Sequence, residues 1–193
     1  MPEHSRPGQD QPRDLNAWLE RQASLHPASI DLGLDRVRQV LDRLDPARRP
    51  APVVITVGGT NGKGSTIALL AAILQAAGYR VGAYTSPHLI RYNERVRIDG
   101  EEAGDAELCE AFERIESARG DTSLTYFEFG TLAALEIFRA RQVDVALLEV
   151  GLGGRLDAVN AVDADCAIIT RVALDHQAYL GDDLASIARE KAG

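Results

Sequence analysis

The stretch PVVITVGGTNGKGSTIALLAAILQAAG, residues 52–78, decides the fold of this chain. It begins with a continuous run of β-branched apolar residues, which is typical of a strand buried in a parallel sheet. Glycines follow, and the segment from Lys63 to about Ala77 then has the composition of a helix that stops at Gly78. The stretch therefore predicts a strand, a glycine-rich turn and a helix in direct succession.

The same alternation continues along the rest of the chain. Apolar runs predict three further strands, at YRVGAYT (79–85), DVALLEV (144–150) and residues 166–170. Helical patterns are found at residues 30–44, 105–118 and 127–142, and from Asp182 or Asp183 onward. Because strands alternate with helices, we expect an α/β fold with an open, mostly parallel sheet and helices on both faces.

Composition and charge exclude several classes of protein. The chain has 193 residues, of which 45% are hydrophobic, and its formal net charge is −8. The hydrophobic fraction excludes a disordered or collagen-like chain, and the negative charge argues against binding to nucleic acid or an anionic membrane. No apolar run reaches the roughly 18 residues that span a bilayer, and the start lacks the apolar core of a secretory signal, so we expect a cytoplasmic protein.

The first 13 residues differ from the rest of the chain. They contain three prolines among polar residues and are predicted to form a flexible tail, which leaves residues 14–193 as one domain. Cys109 and Cys166 lie far apart and fit no metal-binding spacing, so we expect two packed thiols.

The glycine-rich segment VGGTNGKGST, residues 57–66, carries the strongest functional signal. Small residues allow backbone N–H groups and the amino-terminal end of a helix to point at phosphate oxygens. Lys63 adds a positive charge, and Ser65 or Thr66 supplies a hydroxyl near a metal ion, as expected for a nucleoside triphosphate site. The strict phosphate-loop pattern places Ser or Thr directly after the lysine, whereas Gly64 intervenes here. The alternative is a turn that only joins the strand to the helix.

Three more residues are candidates for the site, and each has a plainer alternative. Glu149 ends a predicted strand at the edge where open α/β sheets bind ligands, so it either ligates Mg²⁺ or is simply solvated. His176, next to Asp175, follows the next predicted strand and is either functional or structural. Lys191 near a helix end interacts with the helix dipole, unless it is buried and acts as a nucleophile with a lowered pKa.

Arg91, Arg95 and Arg97 lie beside Glu94 in the segment after the second strand. Such a basic patch is most often a solvated face, and otherwise it steers an anionic substrate toward the site. The sequence leaves both interpretations open.

Several motifs taken together resemble one family. They are GTNGKGS at 59–65, TSPHL at 85–89, NERVRI at 93–98, TYFEFGTLAAL at 125–135, LLEVGLGGRLDAVN at 147–160, DH at 175–176 and AREKAG at 188–193. In order and approximate spacing they resemble the folylpolyglutamate synthase and dihydrofolate synthase family of Mur-type ATP-dependent amide ligases. The resemblance extends from about Ile30 to Gly193 and accounts for Gly64, because the folate branch has this form of the loop.

The resemblance implies roles for individual residues. The phosphates of ATP are implied to contact Gly59, Thr60, Asn61, Gly62, Lys63, Gly64 and Ser65. Two Mg²⁺ ions are implied, one at Ser86 and Glu149 and the other at Glu149 and His176. Lys191 matches a lysine that the family carbamylates, which turns the amine into an oxygen ligand suited to Mg²⁺. The catalytic residues implied in this way are Lys63, Glu149, His176 and Lys191.

The resemblance also implies a substrate and a reaction. The pterin is implied to contact Thr125, Tyr126, Phe127, Glu128, Leu156 and the segment 31–33. In this family the carboxylate of dihydropteroate or of a folate glutamate attacks the γ-phosphate of ATP. The amino group of L-glutamate then displaces phosphate from the acyl phosphate and forms an amide. The implied partners are these small molecules, with no nucleic acid and no membrane, and the intact enzyme is expected to be a monomer.

The resemblance implies a protein with two domains, and nothing after the last predicted helix of this chain matches the second domain. We therefore expect the chain to be the amino-terminal ATP-binding domain alone, truncated before the carboxyl-terminal domain and poorly active by itself. The alternatives are a Mur-type ligase acting on a cell-wall precursor, a noncatalytic nucleotide-binding module and a simple kinase. The sequence does not separate dihydrofolate synthase from folylpolyglutamate synthase.

Overall fold

One six-stranded sheet lies at the centre of the chain, which the computed structural model describes at residues 14–28, 30–45, 47 and 49–192. The strands are β1 (Val53–Gly58), β2 (Val81–Tyr84), β3 (Val96–Ile98), β4 (Glu101–Glu102), β5 (Val145–Glu149) and β6 (Cys166–Ile169). Their order across the sheet is β4-β3-β2-β5-β1-β6. The strands β2, β5, β1 and β6 run parallel, whereas β3 pairs antiparallel with β2 and β4 pairs antiparallel with β3. The expected open, mostly parallel sheet is confirmed.

Helices cover both faces of this sheet. They are α1 (Leu15–Leu25), α2 (Asp35–Leu44), α3 (Lys63–Ala76), α4 (Asp105–Arg119), α5 (Tyr126–Ala140), α6 (Gln177–Leu180) and α7 (Leu184–Ala192). Two short 3₁₀ turns lie at Tyr92–Arg95 and Ala158–Ala161. The predicted helices at 63–77, 105–118 and 127–142 match α3, α4 and α5 within two residues at each end, while α1 and α6 were not predicted.

The alternation of side chains along β5 divides the apolar core into two layers. Ala146 and Leu148 face α1, α2, α4 and α5, where Trp18 of α1 packs against aromatic rings of α4 and α5. Val145 and Leu147 face the opposite side, where they pack with the buried face of α3. Because successive strand residues point to opposite faces, an uninterrupted apolar strand is what a sheet with helices on both sides requires.

The predicted helix at 30–44 begins later than expected, at Asp35. The carboxylate of Asp31 accepts a hydrogen bond from Arg36 Nη1 at 2.7 Å and lies 3.1 Å from His26 Nε2. Gly33 also disfavours a helix at this point, because glycine loses more backbone freedom on folding than other residues. Residues 30–33 are therefore not helical and instead line the cavity described below.

The sheet edge at β6 is open to solvent. Cys166 on this strand is exposed and Cys109 on α4 is half-buried, and both are free thiols. The expectation of two packed thiols was therefore wrong for Cys166, because no helix covers β6 within the residues that the structure describes. The predicted flexible tail at 1–13 lies outside the described residues. Among the described helices, none is long and apolar enough to cross a membrane.

Candidate nucleotide and substrate site

The parallel arrangement brings three chain segments to one edge of the sheet. In the register of β1 with β5, Val57 lies beside Glu149, and in the register of β2 with β5, Tyr84 lies beside Leu148. The glycine-rich loop after β1, the segment after β2 and the end of β5 therefore meet at neighbouring carboxyl ends. This is the edge at which open α/β sheets bind their ligands.

The glycine-rich loop ends in the first turn of α3. Gly62 has a φ of 89°, a conformation that favours glycine, and Lys63 is the first residue of the helix. Lys63 Nζ donates to the Gly59 carbonyl at 3.0 Å. Thr66 Oγ1 donates to the Gly62 carbonyl at 2.8 Å, whereas Ser65 is exposed. Ser65 is therefore the better placed of the two hydroxyls to contact a ligand at the loop.

The loop is held from its other side by the segment that follows β6. Thr170 Oγ1 donates to the Asn61 carbonyl at 2.8 Å and to the Gly58 carbonyl at 3.0 Å. The Thr60 N–H donates to the Arg171 carbonyl at 2.7 Å, and Thr60 Oγ1 donates to the Ala173 carbonyl at 3.1 Å. These bonds fix the loop backbone in advance, so ligand binding need not order it.

Glu149 presents a nearly buried carboxylate between the loop and the end of β2. The residue is 5% exposed, and its Oε2 accepts a hydrogen bond from the Ser86 N–H at 3.1 Å. Burial raises the pKa of Glu149, against the opposite effects of the Ser86 N–H and the charge of Lys63. A Cβ added at Gly64 would lie 3.8 and 3.9 Å from the two carboxylate oxygens. The glycine after Lys63 therefore leaves free space directly beside this carboxylate.

Lys191 lies in the last turn of α7 and is 6% exposed. Burial lowers the pKa of its amine, the positive charge of Lys63 lowers it further, and Asp175 opposes both effects. The effect of Lys63 on this pKa shows that the two lysines of the chain lie near each other, at the phosphate loop. The structure therefore supports a buried Lys191 rather than a lysine at a solvated helix end.

His176 is exposed and has a positive φ of 47°. Its Nε2 lies 3.5 Å from Asp175 Oδ2, and the side chain lines the same cavity as Ser86. Among the described residues, no hydrogen bond joins His176 or Lys191 to Glu149, and no three His, Cys, Asp or Glu side chains form a metal-binding group. The structure thus brings Ser86 and Glu149 into contact, while the metal roles of His176 and Lys191 stay predictions.

A cavity of about 300 Å³ adjoins this edge. Among the residues with a predicted substrate role, those that line it are Asp31, Leu32, Gly33, Thr125, Phe127, Glu128 and Leu156. Tyr126 does not line it and instead packs beneath the guanidinium group of Arg95.

Glu128 already has a structural role in the wall of this cavity. Its carboxylate accepts a hydrogen bond from the Thr125 N–H at 2.7 Å and caps the first turn of α5. Its second oxygen pairs with Arg36 Nη2 at 3.1 Å. Thr125 and Glu128 therefore shape the cavity through the helix cap, whether or not they also touch a ligand.

Asp157 is a cavity residue that the sequence analysis did not single out. It is 2% exposed and accepts hydrogen bonds from the Leu152 N–H at 2.8 Å and the Val159 N–H at 3.1 Å. Burial raises the pKa of Asp157 to about 6, although these N–H groups and Lys63 favour its ionised form. The signal in the sequence was its position in RLDAVN after the glycines, but its burial depends on the fold.

We expect the stability of the chain to fall as the pH rises through this pKa. Because the folded-state pKa of about 6 exceeds the ordinary aspartate pKa of 3.8, the folded state holds the proton more tightly than the unfolded state between these values. The free energy of unfolding should therefore drop by about 2 to 3 kcal/mol from pH 4 to pH 7 on account of this group. Urea unfolding across this range measures the change.

The matched variant for this measurement is Asp157→Asn, which lacks the ionisable group. Glu94, whose pKa is lowered to about 2, makes stability rise toward pH 4.5 and so opposes the Asp157 effect at the lower end of the window, but it does so equally in both chains and cancels in their difference. The raised pKa of Glu149 acts in the same direction, so the pH dependence should shrink in the variant rather than vanish. A variant with the full pH dependence of the original chain would contradict this account of Asp157.

Fold and site together define an α/β domain with a glycine-rich loop between β1 and α3, a buried carboxylate beside the loop and a neighbouring cavity. The Mur ligase middle domain model matches residues 57–193. The chain belongs to the Mur ligase middle domain family.

Several named relatives and solved structures are similar to this chain. The dihydrofolate synthase/folylpolyglutamate synthase of Escherichia coli (strain K12) is 59% identical over 179 residues, which cover 93% of this chain and 42% of the relative. The solved structure of E. coli FolC in complex with DHPP and ADP has a TM-score of 0.92 at 58% identity and covers 93% of this chain and 43% of that one. A bifunctional folylpolyglutamate synthase/dihydrofolate synthase with Mn, AMPPNP and L-glutamate bound has a TM-score of 0.87 at 59% identity, with the same coverage. The chain thus spans less than half the length of these relatives.

Proposed function

We propose that this chain is the ATP-binding part of a ligase that joins L-glutamate to dihydropteroate, to folylpolyglutamate or to both. The observation that carries the proposal is the buried Glu149 carboxylate beside the phosphate loop, which is hydrogen-bonded to Ser86, a residue that also lines the adjoining cavity. The names and bound ligands of the relatives, which include ADP, AMPPNP, DHPP and L-glutamate, support this choice of substrates. Residues 14–193 are proposed to form the ATP-binding domain.

The residues present fit a divalent cation. Glu149 offers a carboxylate with a single N–H donor from Ser86, and Gly64 leaves free space beside its two oxygens. Mg²⁺ prefers oxygen ligands and commonly takes one or two carboxylates together with phosphate oxygens. Two relatives have Mn bound together with AMPPNP. Ser86 and Glu149 would hold one ion. Glu149 and His176 would hold the second ion, and Lys191 would join them if it is carbamylated.

A bound cation would supply positive charge against the phosphates, and the chain's own residues supply the rest. The loop N–H groups and Lys63 are positioned to bind the phosphates of ATP at the amino-terminal end of α3. The difficulty of the first step is to bring two anions together, the acceptor carboxylate and the γ-phosphate. Fixed positive groups at this edge reduce their repulsion and hold the carboxylate in line for attack. The product of that step is an acyl phosphate, which the amino group of glutamate converts to an amide.

Calorimetric titration of the chain with Mg²⁺ and a nonhydrolysable ATP analogue tests this function. We expect saturable binding of the analogue, and then saturable binding of dihydropteroate but not of a UDP-muramyl precursor. Binding of the UDP precursor instead would move the chain to the cell-wall branch of the family. Failure to bind the ATP analogue would contradict the proposed nucleotide site. Phosphate release that dihydropteroate stimulates would further argue against a noncatalytic module.

A further inference from the structure

The three arginines of the basic patch have different surroundings in the structure. Arg91 is exposed and lies 3.7 Å from the Asp105 carboxylate, and Arg97 donates to Glu102 at 2.9 Å on the neighbouring strand. Arg91 therefore belongs to a solvated face, whereas Arg97 is paired with Glu102 and lines a second cavity beside Gly64 and Glu149. Arg95 has no carboxylate partner within the described part of the chain, and its side chain lines the cavity next to Ser86.

Neighbouring rings hold the Arg95 side chain in place. Its Nε donates to His88 Nδ1 at 2.8 Å, and its guanidinium carbon lies 5.5 Å from the ring centre of Tyr92 and 5.6 Å from that of Tyr126. Because an arginine Nε can only donate, His88 Nδ1 is the acceptor of this hydrogen bond. Stacking on aromatic faces stabilises a guanidinium group without neutralising it.

The backbone between Ser86 and Arg95 is also fixed. The Glu94 carboxylate accepts hydrogen bonds from the N–H groups of Leu89 at 2.9 Å, Ile90 at 2.7 Å and Arg91 at 2.6 Å. These three donors lower the pKa of Glu94 to about 2, so the carboxylate stays ionised and bound to the loop at neutral pH. The distance between the Ser86 end of the loop and Arg95 is therefore set before any ligand enters.

Charges in the cavity wall single out Arg95. Among the described residues that line the cavity, Arg95 is the one arginine or lysine, and the carboxylates are Asp31, Glu128 and Asp157. Asp31 and Glu128 both pair with Arg36, and the backbone N–H groups around Asp157 satisfy its oxygens. An anionic group in this cavity therefore meets one cation that no carboxylate neutralises.

We propose that Arg95 binds the carboxylate of the acceptor substrate and holds it beside Ser86 and Glu149. This inference rests on the proposed function and adds a substrate-binding residue to it. Arg95 partly offsets the repulsion between the acceptor and the phosphates, and it selects acceptors that carry a carboxylate at this depth of the cavity. A neutral acceptor of the same shape gains no such contact.

Titration with dihydropteroate and with its methyl ester, in the presence of Mg²⁺ and AMPPNP, tests the proposal. The ester keeps the rings and removes the negative charge. We expect the original chain to bind the acid about tenfold more tightly than the ester, which corresponds to one charge-assisted contact. Arg95→Gln should bind both compounds with similar affinity, and Arg95→Lys should recover part of the preference. The matched control is Arg91→Gln, which removes an exposed arginine of the same segment that lines neither cavity and should keep the full preference.

The outcomes separate this inference from the proposed function. If Arg95→Gln still prefers the acid by the original factor, the role of Arg95 is wrong while the proposed function stands. If Arg95→Gln loses affinity for acid and ester equally, the residue only supports the cavity wall, and the inference also fails. If the original chain binds neither pterin compound, the acceptor site of the proposed function is itself contradicted.

Discussion

Replacement of Glu149 by glutamine is expected to weaken Mg²⁺-dependent binding of a nonhydrolysable ATP analogue by about 100-fold. Glutamine has the shape of glutamate, and its amide oxygen can still accept the hydrogen bond from the Ser86 N–H. The substitution therefore removes mainly the negative charge, at a position that is 5% exposed and next to free space at Gly64. Without that charge the site loses its main attraction for a divalent cation.

Titration of the analogue with and without Mg²⁺ measures this effect, because a metal ligand changes the difference between the two conditions. Glu107→Gln is a suitable control, since Glu107 lies in the first turn of α4 and pairs with Arg141, and neither residue lines a cavity beside the loop. Unchanged affinity and unchanged Mg²⁺ dependence in Glu149→Gln would show that this carboxylate is not a metal ligand. In an intact ligase the same variant should lose metal-supported turnover.

The second large effect is expected from Gly154→Ala, which should separate α7 from the rest of the domain. A Cβ at Gly154 would lie 2.5 Å from the Glu190 carbonyl oxygen and 2.7 Å from Lys191 Cα. These are backbone atoms of the last turn of α7, so they cannot move aside without the helix. The Arg155 N–H donates to that Glu190 carbonyl at 2.8 Å, and this bond would break as well. Overpacking of this kind costs about 1 to 3 kcal/mol, which here would fall on the docking of α7.

Undocking of α7 should be visible at Lys191. In the original chain the residue is buried and should react slowly with an amine reagent, whereas in Gly154→Ala it should react like an exposed lysine. Lys63, the other lysine, gives an internal reference in the same mass spectrum. Hydrogen exchange should also become faster across residues 184–192. The control is Gly33→Ala, whose added methyl group meets no atom within 4 Å. Equal Lys191 reactivity in both variants would mean that Gly154 does not hold α7.

Much of the fold could be predicted because its signals are local. The apolar run of β1, the glycines after it and the helix formers of α3 lie next to one another, and the prediction of these elements agrees with the structure. The helix at 30–44 was predicted too long, because apolar spacing does not register the polar contacts of Asp31 with Arg36 and His26. The helix α1 was missed for a related reason. Its stability depends on packing of Trp18 against distant aromatic rings rather than on a strong local pattern.

The candidate site divides in the same way. The phosphate loop and the strand-end position of Glu149 could be predicted, because strand ends and glycine-rich turns are visible in a short window of sequence. The contact of Ser86 with Glu149 could only be implied from the motifs, and the structure contains it. The free space at Gly64, beside that carboxylate, could not be read from the motif alone, since it depends on how α3 lies against β5.

The sequence by itself determined the order of strands and helices, the phosphate loop and the candidate residues, because each of these depends on neighbours within a few positions. Only the tertiary structure decided which candidate residues lie in the environment that a functional role needs and which are simply solvated. It separated Arg95 from Arg91 and Arg97, buried Lys191 against the chain at Gly154, and raised the pKa of Asp157. Burial and charge pairing are set by groups from distant segments, and at short range in a poorly solvated interior these determine the charge and reactivity of a side chain.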